Sequence, residues 1–73
     1  MAHVDMIEVE GEVLEPRSNG YFLVRLPHGA EALVHVAGKL RQNFIRVIPG
    51  DRVTVELSPY DLKRGRIIFR HKS

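Results

Sequence analysis

Five short runs in which apolar and polar residues alternate, each bounded by proline, glycine or asparagine, constrain the fold of this 73-residue chain more than any other feature. A period of two sends successive side chains to opposite faces of an extended strand. In residues 7–14, Ile7, Val9, Gly11 and Val13 share one face while Glu8, Glu10 and Glu12 share the other. Residues 16–20 interrupt the pattern with turn-tolerant types ending in Asn19-Gly20, and residues 21–26 resume it with Phe22, Val24 and Leu26 on the inward side. Pro27-His28-Gly29 places a φ-restricted residue early and one that accepts positive φ late, as a tight hairpin requires, so residues 30–36 become a third strand. Residues 38–46 do not alternate; Leu40 and Phe44, four apart, predict a short helical turn. After the turn Pro49-Gly50-Asp51, the residues Val53, Val55 and Leu57 alternate with Arg52, Thr54 and Glu56 as a fourth strand. Residues 58–65 read as a polar loop, followed by a fifth strand with Ile67 and Phe69 inward and Arg66, Ile68 and Arg70 outward.

Three strands, a helical turn and two strands are the element order of an OB-fold, an all-β, five-stranded Greek-key barrel that leaves few unpaired edges. An SH3-like barrel is the nearest competitor, and the position of the helical insert between the third and fourth strands favours the OB-fold. The length allows one domain, 1–73, burying about 60% of its unfolded surface, with residues 1–5 and 71–73 expected to be flexible. Cysteine is absent, so neither disulfides nor thiolate zinc can supplement the core, and a reducing compartment is expected. The apolar stretches fall far short of the roughly 20 residues that span a bilayer, and no signal-peptide pattern follows Met1. The expectation is a soluble, cytoplasmic protein without membrane contact.

Charge is segregated along the chain. Residues 1–37 carry two arginines against six carboxylates, a net −4, whereas residues 38–73 carry nine lysines and arginines against three carboxylates, a net +6. Such asymmetry is the electrostatic mark of a polyanion partner. Catalytic chemistry has little to stand on. The four histidines, His3, His28, His35 and His71, are scattered without metal-ligand spacing, and Glu8, Glu10 and Glu12 read as a solvated strand face rather than an acid–base pair. No G-x-S-x-G, glycine-rich phosphate loop or cysteine nucleophile is present. No catalytic residue, metal site or cofactor is expected.

Nucleic-acid binding is better supported, because OB-folds bind through the face of strands two and three and through the loops joining strands one to two and four to five. If Phe22, Val24 and Leu26 point inward, then Tyr21, Leu23 and Arg25 point outward beside Glu31, Leu33 and His35, which offers two rings and a guanidinium. Rings stack on unpaired bases and arginines hold phosphates. Tyr21 could equally pack at the barrel rim. Lys39, Arg41 and Arg46 lie on or beside the helical turn, and Lys63, Arg64, Arg66 and Arg70 run from the last loop into the last strand. The ends of these segments can approach one side of the barrel, although charge runs also serve as plain solvated surface. Tyr60 shares a loop with Lys63 and Arg64, as an exposed ring for RNA or as a cap on the barrel bottom.

Three stretches carry a family resemblance: Gly38-Lys39-Leu40-Arg41-Gln42-Asn43-Phe44-Ile45-Arg46, the run 49–62 that opens Pro49-Gly50-Asp51 and closes Ser58-Pro59-Tyr60-Asp61-Leu62, and Lys63-Arg64-Gly65-Arg66-Ile67-Ile68-Phe69-Arg70. The chain resembles bacterial-type translation initiation factor one over nearly its whole length, most strongly over residues 35–70. The resemblance implies an OB-fold that binds the small ribosomal subunit at the aminoacyl (decoding) site, contacts ribosomal RNA and a neighbouring ribosomal protein, and cooperates with initiation factors two and three as a non-catalytic monomer. It also implies that Lys39, Arg41 and Arg46 bind rRNA phosphates or bases and that Lys63, Arg64, Arg66 and Arg70 extend that surface, with Arg25, His35, Phe44 and Tyr60 as further RNA-binding candidates. Phe44 stands where the family often has tyrosine and so lacks the phenolic donor, whether it stacks or packs; Leu23 replaces a frequent arginine, and Arg17 adds a charge in the first loop. A general single-strand RNA chaperone would want clustered surface aromatics, of which this chain with two tyrosines and three phenylalanines has few. An SH3-type peptide-binding module is the third class, and it would bind with little salt dependence.

Overall fold

The computed structural model describes residues 6–38 and 46–71. Five strands, β1 (Ile7–Pro16), β2 (Tyr21–Arg25), β3 (Glu31–Val36), β4 (Arg52–Ser58) and β5 (Asp61–His71), form a closed barrel in the order β1-β2-β3-β5-β4, with β1 and β4 completing the ring. All neighbours run antiparallel except β3 and β5, which are parallel over Leu33↔Arg64 to Val36↔Ile67. The topology is that of an OB-fold, as the element order predicts.

Alternation builds the core directly. Val13, Val24, Val34, Val53, Val55 and Ile67 are essentially fully buried, each at an inward position of its strand, and Val9, Phe22 and Val36 pack around them. Short 3-10 turns at Ser18–Gly20 and Pro27–Gly29 replace open loops between the first three strands. In the second, Gly29 takes φ 79° and the Leu26 amide donates to the Ala30 carbonyl at 2.7 Å, which is why proline comes first and glycine last. The turn before β4 is docked onto β1: the Gly50 amide donates to the Val13 carbonyl (2.8 Å) and the Val13 amide to the Asp51 carbonyl (2.9 Å), where an irregularity in β1 between Val13 and Glu15 leaves room.

Three sequence-based expectations are overturned. Residues 58–65 are not a loop: Pro59 and Tyr60 alone form the turn between β4 and β5, Ser58 pairs with Asp61, and β5 begins there. The polar residues that read as loop signals are bonded to backbone, Ser58 Oγ accepting from the Tyr60 amide (3.1 Å) and Asp61 Oδ1 from the Lys63 amide (3.2 Å). Phe69 is not inward but 54% exposed, because Ile68 is an extra residue between the pairs Val55↔Ile67 and Thr54↔Phe69 and a one-residue bulge reverses every later side chain. His71 is not part of a frayed tail; it pairs with Arg52, and its Nε2 lies 2.7 Å from Thr54 Oγ1. The helical turn predicted over residues 38–46 lies mostly outside the described residues, which omit 39–45.

Ile67 is the largest of the fully buried side chains, and it is held between two strands, paired with Val55 on β4 and Val36 on β3. Removing one methylene as Ile67→Val should cost about 1 kcal/mol and lower the melting temperature by roughly 4–8 °C. A calorimetric shift below about 2 °C would mean that the barrel collapses around the gap.

Candidate nucleic-acid interface

Barrel closure aligns one outward row of side chains across all five strands. Glu8 on β1 stands opposite Glu56 on β4, Glu56 opposite Arg66 on β5, Arg66 beside His35 on β3, and His35 opposite Tyr21 on β2. Adjacent strands are about 4.8 Å apart, so each side chain in the row reaches its neighbours. At one end the row is acidic, and at the other it offers two rings and a guanidinium.

Among the described residues, two cavities open on the ring-bearing side. The larger, about 530 Å³, is lined by Met6, Tyr21, His35, Glu56, Ser58, Asp61, Arg64, Gly65 and Arg66. The smaller, about 310 Å³, is lined by Arg17, Ser18, Asn19, Tyr21, Leu33 and Arg64. Tyr21 and Arg64 belong to both and form the wall between them. Tyr21 and His35 meet edge to face, with centroids 5.7 Å apart and planes at 86°, so each ring limits the other's rotation. Arg64 is exposed and makes no ion pair among the described residues. Arg66 is bound to Glu56 Oε1 through Nε (2.8 Å) and Nη2 (2.7 Å). Arg17 contacts Glu15 at 3.4 Å with both side chains about half exposed, a contact of little energetic weight.

The structure brings together His35, Arg64 and Arg66 from the sequence-predicted set, and it adds Tyr21 on the face where alternation puts it. The other described candidates stand elsewhere. Arg25 lies at the far end of β2, opposite Glu12 on one side and Glu31 on the other, so carboxylates flank its charge. Tyr60 is 84% exposed at the tip of the β4–β5 turn, which removes the alternative that it caps the barrel, and it lines neither cavity. Lys63 is exposed on β5 near that turn. Arg70 comes after the bulge, opposite the buried Val53, and its Nη1 donates to the Arg46 carbonyl, so this cation holds backbone together. Arg46 itself is exposed. Lys39, Arg41 and Phe44 lie outside the described residues.

Sequence reasoning missed Met6, Glu56, Ser58 and Asp61 in the larger cavity; of the smaller it placed Leu33 on the outward face and Arg17 and Asn19 in the first loop without marking them as site residues. Asn19 has a positive φ of 62°, and the turn carrying it could have been marked from the rule that OB-folds bind through the loop joining strands one and two. Among the described residues no group of three or more His, Asp or Glu side chains converges as metal ligands, and no helix is long and apolar enough to cross a membrane. Among those same residues the arrangement offers flat rings for stacking, one uncommitted guanidinium, and a second with one edge engaged. Those groups suit phosphates and unpaired bases.

Residues 2–73 match the family described as translation initiation factor 1A / IF-1. The solution structure of translation initiation factor one from the Wolbachia endosymbiont strain TRS of Brugia malayi is similar, with 47% identity and a TM-score of 0.77 over 93% of this chain and 80% of that one. The crystal structure of YjeQ from Thermotoga maritima is also similar, at 25% identity and a TM-score of 0.74, but the match covers 90% of this chain and only 23% of that longer one.

Proposed function

Because this chain belongs to the translation initiation factor 1A / IF-1 family, we propose that it docks on the small ribosomal subunit at the aminoacyl (decoding) site through ribosomal RNA. A neighbouring ribosomal protein lies at the edge of that contact, and initiation factors two and three are the cooperating partners. The protein acts in the cytoplasm as a monomer and catalyses no reaction; its work is occupancy.

The observation that carries this reading is the meeting of Tyr21, His35, Arg64 and Arg66 on one face, assembled from three strands by the β2–β3 hairpin and the long-range parallel β3–β5 pairing. A base stacked on such a ring gains roughly 1–3 kcal/mol, and an arginine on a phosphate supplies charge-assisted hydrogen bonds. The rings are few and the grooves are shaped, which favours a folded RNA target over arbitrary single strands.

Equilibrium binding of the labelled protein to purified small subunits, over a salt series at fixed magnesium, tests this. Binding should saturate at one copy per subunit, and log affinity should fall with log salt at about −0.7 for each phosphate contacted. Chemical footprinting should show protection in the decoding region. A flat salt dependence would favour a peptide-binding module, continued loading beyond one copy a general RNA chaperone, and protection confined to another region would move the docking site.

A further inference from the structure

Glu56 stands inside the lining of the larger cavity, where a surface that attracts polyanions by charge alone has no use for a carboxylate. Its side chain is 16% exposed, whereas that of its partner Arg66 is 53% exposed. Among the described ion pairs it is the one in which a largely covered carboxylate holds a guanidinium by two nitrogens; the Arg52–Glu10 pair joins side chains 67% and 50% exposed through one nitrogen. Cross-strand geometry fixes both partners, since Glu56 and Arg66 are directly opposite on β4 and β5 and Arg66 is in register with His35 on β3.

We propose that Glu56 is a positioning residue for RNA docking: it tethers Arg66 by its Nε and Nη2 side, so that the guanidinium stands ordered beside His35 and Tyr21 before RNA arrives. The assignment rests on the rRNA docking proposed above. An arginine side chain left free must be frozen on binding, which lowers affinity by roughly 2- to 12-fold. A tether that freezes it beforehand removes that cost. The tether also cancels much of the Arg66 charge, so Arg66 acts through direction and Arg64 through field. Nη1 of Arg66 makes no hydrogen bond among the described residues and remains for a phosphate or base.

The test is equilibrium binding of the full chain to purified small subunits, comparing wild type, Glu56→Ala, Glu56→Gln, Arg66→Ala and the Glu56→Ala/Arg66→Ala double variant, with thermal melts as a fold control. Glu56→Ala should weaken binding roughly 3- to 10-fold even though it makes the chain more positive. Glu56→Gln, whose amide oxygen still accepts from Arg66, should stay within about twofold of wild type, and the double variant should match Arg66→Ala alone. Unchanged or tighter binding by Glu56→Ala, or an equal loss from it in the Arg66→Ala background, would overturn the assignment. Should Glu56→Ala fail to fold, Glu56→Thr, a better strand former, takes its place with the same expectations. Wild type that shows no saturable, salt-dependent binding would sink the docking itself; wild type that binds while Glu56→Ala only tightens it would sink Glu56 alone.

Discussion

Gly65→Ala is expected to lower the melting temperature of the barrel by about 12–24 °C. A Cβ at position 65 would lie 2.6 Å from Leu57 Cδ2 and against the Glu56 carbonyl oxygen, which belongs to the β4 backbone and cannot rotate aside. Relief requires β4 and β5 to spread, yet at this point β5 is also paired with β3, through Val34↔Gly65 and its neighbours. Overpacking without an escape route costs about 3 kcal/mol, against a total stability of roughly 4–11 kcal/mol for a chain this size, and each 1 kcal/mol moves the midpoint by about 4–8 °C. Gly38→Ala is the control, since nothing among the described residues lies within 4 Å of an added Cβ there, and its melt should move by no more than a few degrees. A fall of less than about 5 °C for Gly65→Ala, measured by calorimetry or circular dichroism, would show that the two strands separate easily.

Arg64→Ala combined with Tyr21→Leu should weaken binding to small subunits by about 100-fold or more. The two side chains form the wall shared by both grooves, so a nucleotide seated in either one meets them. Loss of a charge-assisted hydrogen bond is worth about 1.5–3 kcal/mol and loss of a stacking ring about 1–3 kcal/mol, with tenfold in affinity for every 1.4 kcal/mol. Contact between the two sites makes the sum inexact, which is why the double variant is the informative one. Leucine keeps apolar bulk against the barrel while removing the flat face. Arg64→Ala alone should also reduce the salt slope by about 0.7. Arg25→Ala, between Glu12 and Glu31 at the far end of β2, should bind within about twofold of wild type. An equal loss from Arg25→Ala would place the RNA surface on another part of the barrel.

How far the molecule can be read from its sequence depends on the range of each interaction. The strands whose inner faces fill the core announced themselves, because burial imposes a strict period of two on Val9 to Val13, on Phe22 to Leu26 and on Val53 to Leu57. β5 did so only in part, as a strand over residues 66–70, because it serves two partners. Its first half leaves β4 after Asp61 and rejoins it at Gly65 while pairing with β3 from Arg64 onward, so burial imposes no simple alternation there. Its second half carries the Ile68 bulge, and nothing local to Ile67-Ile68-Phe69 says which of three apolar residues will be left over. Tyr21 and His35 could be assigned to one outer face from hairpin parity alone. That Arg66 would stand beside His35 could not, since the parallel β3–β5 register spans some thirty residues of sequence and depends on closure of the whole ring.

That dependence has a kinetic side. The β3–β5 pairing joins segments far apart in the chain, so its loop-closure entropy must be met before the contact repays it, and contacts of this kind form late and govern the folding rate. Tyr21 and His35 come together in a local hairpin, whereas Arg64 and Arg66 join them when the ring shuts. A partly folded chain therefore presents aromatic and basic groups on separate pieces, with the edge of β3 open. On the proposed docking, RNA affinity is acquired in the same step that hides that edge, so an intermediate able to aggregate is not yet able to occupy a ribosome.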